Sequence, residues 1–487
     1  MANMLATGLS RSGVEELSRL KGEPEWMLQK RLHAWEVYES TPTPLGRRGD
    51  LGTLQTFSRF KFQELLPYVP IESGEVLPTV IEQALQDALV DVRAGLVVQR
   101  NASVIRSELD DRLSQKGVIL TDLDTAVRKY PELVQQYFMT SCVPVESNKY
   151  TALHAAFWSG GTFLYIPKGV EIEEPVLSRL WIDAPGSATF THTLIIAEEQ
   201  SSVRYVEEQN SSFDDERPSL LDSVVEVYVK NAARVEFSNL QDLGQNVWTI
   251  VNRNAYQEKD GSVVWVMADL GSKVMLSNVG SSLVGHGSVA ELTGVFFTDQ
   301  DQRYSIKTLS DHIGTATNAE TLVKGALADL SRAEFEGMIR VRPKAQQTAS
   351  FLSVHTLLLS DKCRAESIPS LEIGANEVSA SHGATTGKID EDQLFYLMVR
   401  GIPRDEAERI IVQGFFEPVL QRIPLENLRV RLRRSIVRRM RGSHEVEADT
   451  WVDATETQER WEIEGVDETA VSLDGKKSEE EIQLSEI

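Results

Sequence analysis

The spacing of apolar residues changes period twice along the chain, and those two changes divide it. Up to about Tyr150 the period is helical. In Glu25-Trp-Met-Leu-Gln-Lys-Arg-Leu-His-Ala-Trp35, Leu28, Leu32 and Trp35 fall on one helical face with charged residues between them. Pro24 suits the first turn of that helix. The stretches Thr79–Val98 and Thr121–Phe138 repeat the spacing, while Thr41-Pro-Thr-Pro-Leu-Gly46 and Pro67-Tyr-Val-Pro70 interrupt it. Residues 1–150 are therefore expected to form a mostly helical N-terminal region, and nothing in them has the pattern of a catalytic site.

From about Thr151 the period becomes two. Thr162–Ile166, Phe190–Ile196, Val203–Glu207, Val224–Val229, Val235–Phe237, Val263–Met267, Val274–Leu276, Val289–Phe297, Ala333–Val341 and Thr356–Leu359 are β-rich and mostly short, with Gly, Asn, Asp and Ser in the gaps. More than two hundred residues of such strands, with no amphipathic helices between them, exclude a doubly wound α/β fold. A sandwich, a barrel or a solenoid remains. Only a solenoid grows indefinitely by adding coils, so the expected fold is mainly β, a β-helix core over residues 151–387. The repeat is loose, with strands beginning near 203, 235, 263 and 289. In a solenoid, unlike a sandwich, strand-face side chains should stack coil on coil.

After Gly387 the helical period returns, giving an expected C-terminal helical domain over 388–441. Asp390 is placed as an N-cap with Gln393 three residues on, and Gly401 as a stop. A second helix is expected over Asp405–Leu420, where Ala407, Ile410, Ile411, Phe415 and Phe416 make an apolar stripe. Over Leu428–Arg441 seven arginines surround Leu432, Ile436, Val437 and Met440. Two helices at the end of a long solenoid have little surface on which to bury both faces, which favours a partner for the aromatic pair. The arginine helix is expected to meet internal acids or stay solvated.

Charge sharpens this division. The formal net charge is −23, which argues against non-specific nucleic-acid binding as a main role. From Ser443 onward fifteen acids stand against three bases, so residues 442–487 are expected to be a flexible acidic tail. No apolar run reaches the length of a membrane helix and Met1–Ser12 lacks a secretory apolar block, which makes the cytoplasm the simplest location. The two cysteines, Cys142 and Cys363, have no CxxC partner, so neither a disulfide framework nor a self-contained zinc or iron–sulfur site is written here.

Catalytic signatures are missing: no phosphate-cradling GxxxxGK[ST] loop, no GxGxxG after a strand, no GxSxG elbow, no HExxH. The eight histidines are scattered. One of them, His382, stands among small residues in Ser379-Ala-Ser-His-Gly-Ala-Thr-Thr-Gly387, and small neighbours leave both ring nitrogens reachable by a partner or a metal. A lone histidine beside Ser and Thr is more often hydrogen-bonded structure than a ligand, so spacing alone favours the structural reading.

Several runs then resemble a known family. Leu357-Leu-Leu-Ser-Asp-Lys-Cys-Arg-Ala-Glu-Ser-Ile-Pro-Ser-Leu-Glu-Ile373, Ser381-His-Gly-Ala-Thr385, Asp392-Gln-Leu-Phe-Tyr-Leu397 and Arg400-Gly-Ile402 are similar to the SufB/SufD family of iron–sulfur cluster assembly proteins. So are Phe157–Val170, Glu174-Pro175, Leu322–Leu327, Gly337–Val341 and Glu23-Pro-Glu-Trp-Met27. The resemblance runs to about Pro424 and leaves out the acidic tail. SufB-like chains carry acids on both sides of the corresponding histidine and a cysteine where this sequence has Val354. Here Ser381 and Gly383 flank it, the pattern of SufD. Ala380 stands where SufD-like chains often have a cysteine, and Cys363 where the SufB side more usually has one.

The resemblance implies a right-handed β-helix with helical ends. It also implies a non-enzymatic scaffold that pairs with a SufB-like chain and docks a SufC-like ABC-type ATPase on its C-terminal helices through Leu394, Phe395, Leu397, Arg400, Ile411, Phe415 and Phe416. It makes His382 an interface ligand for iron or a nascent cluster, with no permanently bound cofactor, and it leaves flavin binding and a homodimer in isolation open. The alternatives are a SufB-like homodimeric scaffold, against which Val354, Ser381 and Gly383 weigh, and a solenoid enzyme acting on polysaccharide through carboxylates such as Asp311, Glu334 and Glu336.

Overall fold

The computed structural model describes residues 8–44, 51–69, 93–211, 217–423 and 425–440. The acidic tail expected over 442–487, and most of the helix expected over Thr79–Val98, lie outside them.

Strands alternate between two sheets, as in a flattened solenoid. One sheet holds β1 (Gly95–Arg100), β2 (Ser103–Leu109), β5 (Val176–Ile182), β7 (Ser202–Ser211), β9 (Arg234–Asp242), β11 (Ser262–Asp269), β13 (Val289–Thr298), β15 (Asn318–Leu327), β17 (Thr348–Leu358) and β19 (Val378–Lys388). The other holds β3 (Ile119–Asp122), β4 (Gly161–Ile166), β6 (Ala188–Ala197), β8 (Ser219–Val229), β10 (Val247–Gln257), β12 (Val274–Leu283), β14 (Arg303–His312), β16 (Arg332–Val341) and β18 (Arg364–Ile373). From β4 on, every pairing within a sheet is parallel, giving about eight turns. The fold is thus the β-solenoid expected from the period-two pattern.

Register makes the stacking explicit. Ser262 pairs with Val289 and Val289 with Asn318, so one turn takes 27 and then 29 residues. Because side chains alternate across a strand, equivalent lumenal residues form columns along the axis. Tyr205, Phe237 and Trp265 are consecutive members of one, with ring centroids 5.4 and 5.3 Å apart. Spacing is tight elsewhere too: a Cβ on Gly325 would lie 1.9 Å from the Phe296 ring below it. At the corners, residues with positive φ recur turn after turn, and their amides bond the next coil: Gln200 to Asn231, Ala232 to Lys259, Asp260 to His286, Ala316 to Gln346 and Gln347 to Glu377.

The N-terminal helices cover the outer face of the second sheet. α1 (Arg11–Lys21), α2 (Glu25–Ser40), α3 (Thr53–Phe57), α5 (Leu123–Lys129), α6 (Pro131–Tyr137) and α7 (Lys149–Phe157) share one apolar cluster with Phe190, Leu194, Leu220, Val224 and Ile250. Arg31 of α2 is fully buried; it donates to both Glu23 carboxylate oxygens at 2.8 and 2.6 Å and to the carbonyls of Ala156 and Trp158 at 2.9 Å each. A buried chain joins α7 to the sheet. Asp222 meets His154 at 3.2 Å, His154 meets His192 at 3.1 Å, and His192 meets Glu226 at 3.2 Å; Glu226 accepts the amides of Met139 and Val143. Burial raises the Glu226 carboxyl to about 8 and lowers His192.

Two readings of this region need correction. Leu96, Val97 and Val98 form strand β1, because Val97 faces the lumen while Leu96 and Val98 pack in a second cluster; a run buried on both sides loses the alternation that separates strand from helix. Thr121–Phe138 is not one helix. Thr121 lies in β3, and α5 ends before Tyr130, after which Pro131 starts α6.

Candidate functional site

The two ends of the lumen are built differently. At the first turn the antiparallel pairs β1–β2 and β3–β4, with α4 (Asp111–Gln115) between them, lay Val104, Leu109 and Leu113 over the lumenal core. At the last turn β18 and β19 each pair on one side only, with β16 and β17. Their lumenal side chains end the columns in the open. Leu371 stands on Ile339 and Ile373 on Val341; the lower members are 1% and 2% exposed, the upper ones 38% and 44%.

His382 belongs to this end face. It is paired with Leu352 of β17, a lumenal residue, so the imidazole shares the lumenal side of β19 with Ala380 and Ala384, and it is exposed. Ser381 and Gly383 alternate to the outer side. Ala384 lies over Val354, which is completely buried. An apolar rim from β18 thus meets an imidazole and small residues on β19.

Neither thiol reaches this face. Cys363 is buried in the corner before β18, its Sγ 3.0 Å from the Ser360 carbonyl; Cys142 is buried against β8 and β10, its Sγ 2.9 Å from the Asn254 carbonyl, where burial raises its thiol well above the usual range. Among the described residues no three His, Cys, Asp or Glu side chains are grouped to hold a metal ion. His382 is exposed and has no companion ligands among the described residues, so any further ligands would come from outside them.

On the outer side of the same sheet, His355 of β17 bonds Ser353 at 2.8 Å and Thr385 at 2.7 Å, tying β19 down, and burial beside Lys324 lowers its pKa. Lys324 in turn donates to the Phe415 carbonyl at 2.6 Å and lies over its ring. That contact leads to the C-terminal helices α8 (Glu391–Met398), α9 (Arg404–Leu420) and α10 (Glu426–Met440). Asp390 caps α8 as expected, accepting from the amides of Asp392 and Gln393.

Helices α9 and α10 lie along the flank of the first sheet rather than beyond its end. Val412, Phe416, Val419 and Leu420 of α9 pack with Val266, Val295, Phe297 and Ala326, so the flank supplies the surface that the sequence pattern left out of account. The seven residues expected to bind a partner are therefore split. Leu394 and Phe416 are buried inside the chain; Leu397, Ile411 and Phe415 are half-buried; Phe395 and Arg400 are exposed, the Arg400 guanidinium lying 4.3 Å from the Tyr396 ring centroid. Tyr396, Met398, Val399 and Ile410 are exposed beside them. The arginine helix meets internal acids: Arg431 pairs with Glu208, Arg433 with Glu417, and Arg438 and Arg439 both with Asp242.

The carboxylates that a polysaccharide-acting solenoid would use are engaged. Asp311 holds Arg342 through two bonds of 2.9 Å, Glu336 pairs with Lys307 at 2.9 Å, and Glu334 accepts from the amide and hydroxyl of Thr53. No helix among the described residues is long and apolar enough to cross a membrane.

Two family profiles match the chain: the SUF system FeS cluster assembly SufBD core domain over residues 180–415, and the SufBD protein N-terminal region over 78–177. Similar proteins include the iron–sulfur cluster assembly SufBD family proteins of Staphylococcus haemolyticus and Staphylococcus epidermidis, each 32% identical over 446 residues, 90% of this chain and 94% of theirs. That of Staphylococcus aureus is 31% identical over the same span.

Proposed function

This chain belongs to the SufBD family of SUF-system iron–sulfur cluster assembly proteins, and from that premise we propose that it is a SufD-type scaffold subunit without catalysis of its own. Its exposed last turn would pair with a SufB-like chain, and its C-terminal helices would dock a SufC-like ATPase. The observation that carries this reading is the unfinished end of the lumen. Exposed Leu371 and Ile373, next to two strands with unpaired edges, are a surface that water solvates poorly and that another strand end could continue.

His382 lies within that surface, so pairing would enclose it and let ligands from the second chain complete a coordination sphere around the iron or cluster being assembled. The thiolates would have to be the partner's, because Val354 and Ala380 offer none. Phe395, Tyr396, Met398, Val399 and Ile410 make the apolar surface for the ATPase, and Arg400 its charged border. Cytoplasmic location fits this role.

The test is co-expression with a SufB-like and a SufC-like chain. Leu371→Asp with Ile373→Asp should abolish co-purification of the SufB-like chain while the isolated protein keeps its β spectrum. Val399→Asp should release only the ATPase. His382→Ala should leave the complex intact and lower the yield of reconstituted cluster; an unchanged yield removes His382 from cluster assembly, and an intact complex with the doubly charged end removes the end face from pairing.

A further inference from the structure

The lumen is not apolar throughout. Arg253 of β10 alternates with lumenal Ala255, is 2% exposed, and has no full ion pair. Its Nη1 lies 3.3 Å from the Met267 Sδ and its Nη2 is 3.9 Å from a Glu207 oxygen, beyond hydrogen-bond reach. Glu207 is occupied by other donors, the Thr193 hydroxyl and the Gln209 and Asn239 amides, at 2.7–3.2 Å. Asp269 is the second carboxylate acting on Arg253, and burial raises the pKa of both acids.

Six buried polar atoms in this part of the lumen have no partner among the described residues: Arg253 Nε and Nη2, Asn239 Oδ1, Asp269 Oδ1, Ser277 Oγ and Thr308 Oγ1. At about 1–3 kcal/mol for each unsatisfied buried group, six would cost about as much as the entire stability of a typical domain, ~5–15 kcal/mol. Something must satisfy them. Val279, paired with Arg253 on one side and Thr308 on the other, borders a cavity with room for about one water molecule, which Ser281, Thr308, Ser310, Glu320 and Thr321 also line and which reaches Thr308 but not Arg253, Asn239, Asp269 or Ser277.

We propose that the lumen around Arg253 is a built hydration site, in which ordered water bridges the guanidinium to Asp269, Asn239 and the Ser277 and Thr308 hydroxyls. Charge selects the ligand. An anion would be a third negative group beside one guanidinium that already faces two carboxylates, and a cation would meet Arg253 itself. The unpartnered set includes both donors and acceptors, which a neutral molecule with both functions satisfies.

High-resolution crystals of the full chain, with a duplicate soaked in bromide, test this directly. Ordered solvent on Arg253 Nε or Nη2 and on Asp269 Oδ1, with no anomalous bromide peak, is expected. A bromide peak at Arg253 overturns the proposal in favour of an anion site, and a direct Arg253–Asp269 pair with no solvent overturns it in favour of a dry lumen. In solution, oxygen-17 relaxation dispersion should report long-lived internal water whose amplitude falls in Arg253→Met; an unchanged amplitude in the folded variant also overturns it. The measurements on the unmodified protein decide the matter if the variant does not fold.

Discussion

The first and last turns of the solenoid are cut from the same repeat but finished in opposite ways. At the first, antiparallel strands and a short helix close the lumen over Val104, Leu109 and Leu113. At the last, the columns stop at Leu371, Ile373 and His382 with nothing from the described residues above them. The flanks follow the closed pattern, since helices from both termini cover the outer faces of the sheets. Among the described residues helices cover two faces and one end and none covers the other, so the fold has a self-covered part and an uncovered one. Substitutions should sort accordingly, with large stability effects where the chain covers itself and small ones where it does not.

The largest effect is expected on the covered flank. Asp242 is buried at the foot of α10 and is paired with Arg438 and Arg439, the latter at 2.6 Å. Burial pushes its carboxyl up, but the two guanidinium groups overcome that and hold it below the usual range. Asp242→Ala would take its carboxylate from half-buried Arg438 and leave buried Arg439 with Asp299 at 3.7 Å, and removing one partner of a buried pair costs about 3–5 kcal/mol. Urea unfolding measures it. A loss under about 1 kcal/mol would mean that α10 is not part of the folded core.

The sharpest comparison lies within one column. Ile339 and Leu371 are neighbours in register on consecutive turns. Ile339→Ala should cost about 2–5 kcal/mol, the range for emptying a packed site, while Leu371→Ala in the isolated chain should stay within about 0.5 kcal/mol, as exposed positions do. In a complex paired through the end face, the Leu371 variant should lose affinity instead. Equal losses at both positions in the isolated chain would show that the last turn is already covered.

A third test uses pH. His312 stands in the column of Leu283 and Val341, fully buried, its Nδ1 2.8 Å from the Thr317 hydroxyl, and burial lowers its pKa to about 4. Below its ordinary value of about 6.5, the unfolded chain binds a proton that the folded chain refuses, so stability rises with pH across this window and is lost as pH falls from about 6.5 towards 4. His312→Asn should flatten that part of the curve of denaturation midpoint against pH, with little change at pH 8.

Much of this organisation is legible in the sequence and some is not, for physical reasons. Strands with apolar lumenal residues and mostly polar outer ones were visible, β16 among them. β5, β10, β14 and β15 were not, because their lumenal places include Ser178, Arg253, Thr308 and Thr321, which blur the alternation. The open end leaves a trace in Val378-Ser-Ala-Ser-His-Gly-Ala-Thr-Thr-Gly-Lys388, where no large apolar residue follows Val378, as befits a strand that the described residues do not cover. His382 was identified as a candidate, but its lumenal direction follows only from its register with Leu352, a long-range fact. The division of the aromatic helices was hidden likewise, since whether Phe395 or Phe416 faces solvent depends on where the flank of the first sheet lies.

The smallest prediction concerns why the repeat itself looked loose. The corners are regular in backbone, not in side chain: Gln200, Ala232, Asp260, Ala316 and Gln347 all take positive φ and all donate their amide to the next coil, yet no one residue type occupies all five. What repeats is a left-handed turn held by a hydrogen bond, and a residue with a Cβ pays about 1–2 kcal/mol to adopt it. Ala232 is exposed at φ 55°, with only its amide engaged. Ala232→Gly removes the Cβ conflict but adds freedom to the unfolded chain, which subtracts about 0.4–1 kcal/mol from the gain. The net should be a stabilisation of about 0.5–1 kcal/mol, read as a small rise in melting temperature. The same change at Ala233, which is buried and faces the lumenal core, should destabilise. If both variants lose stability, the corners do not carry the strain that their dihedral angles indicate, and the stacked amide bonds alone would have to hold the turns in step.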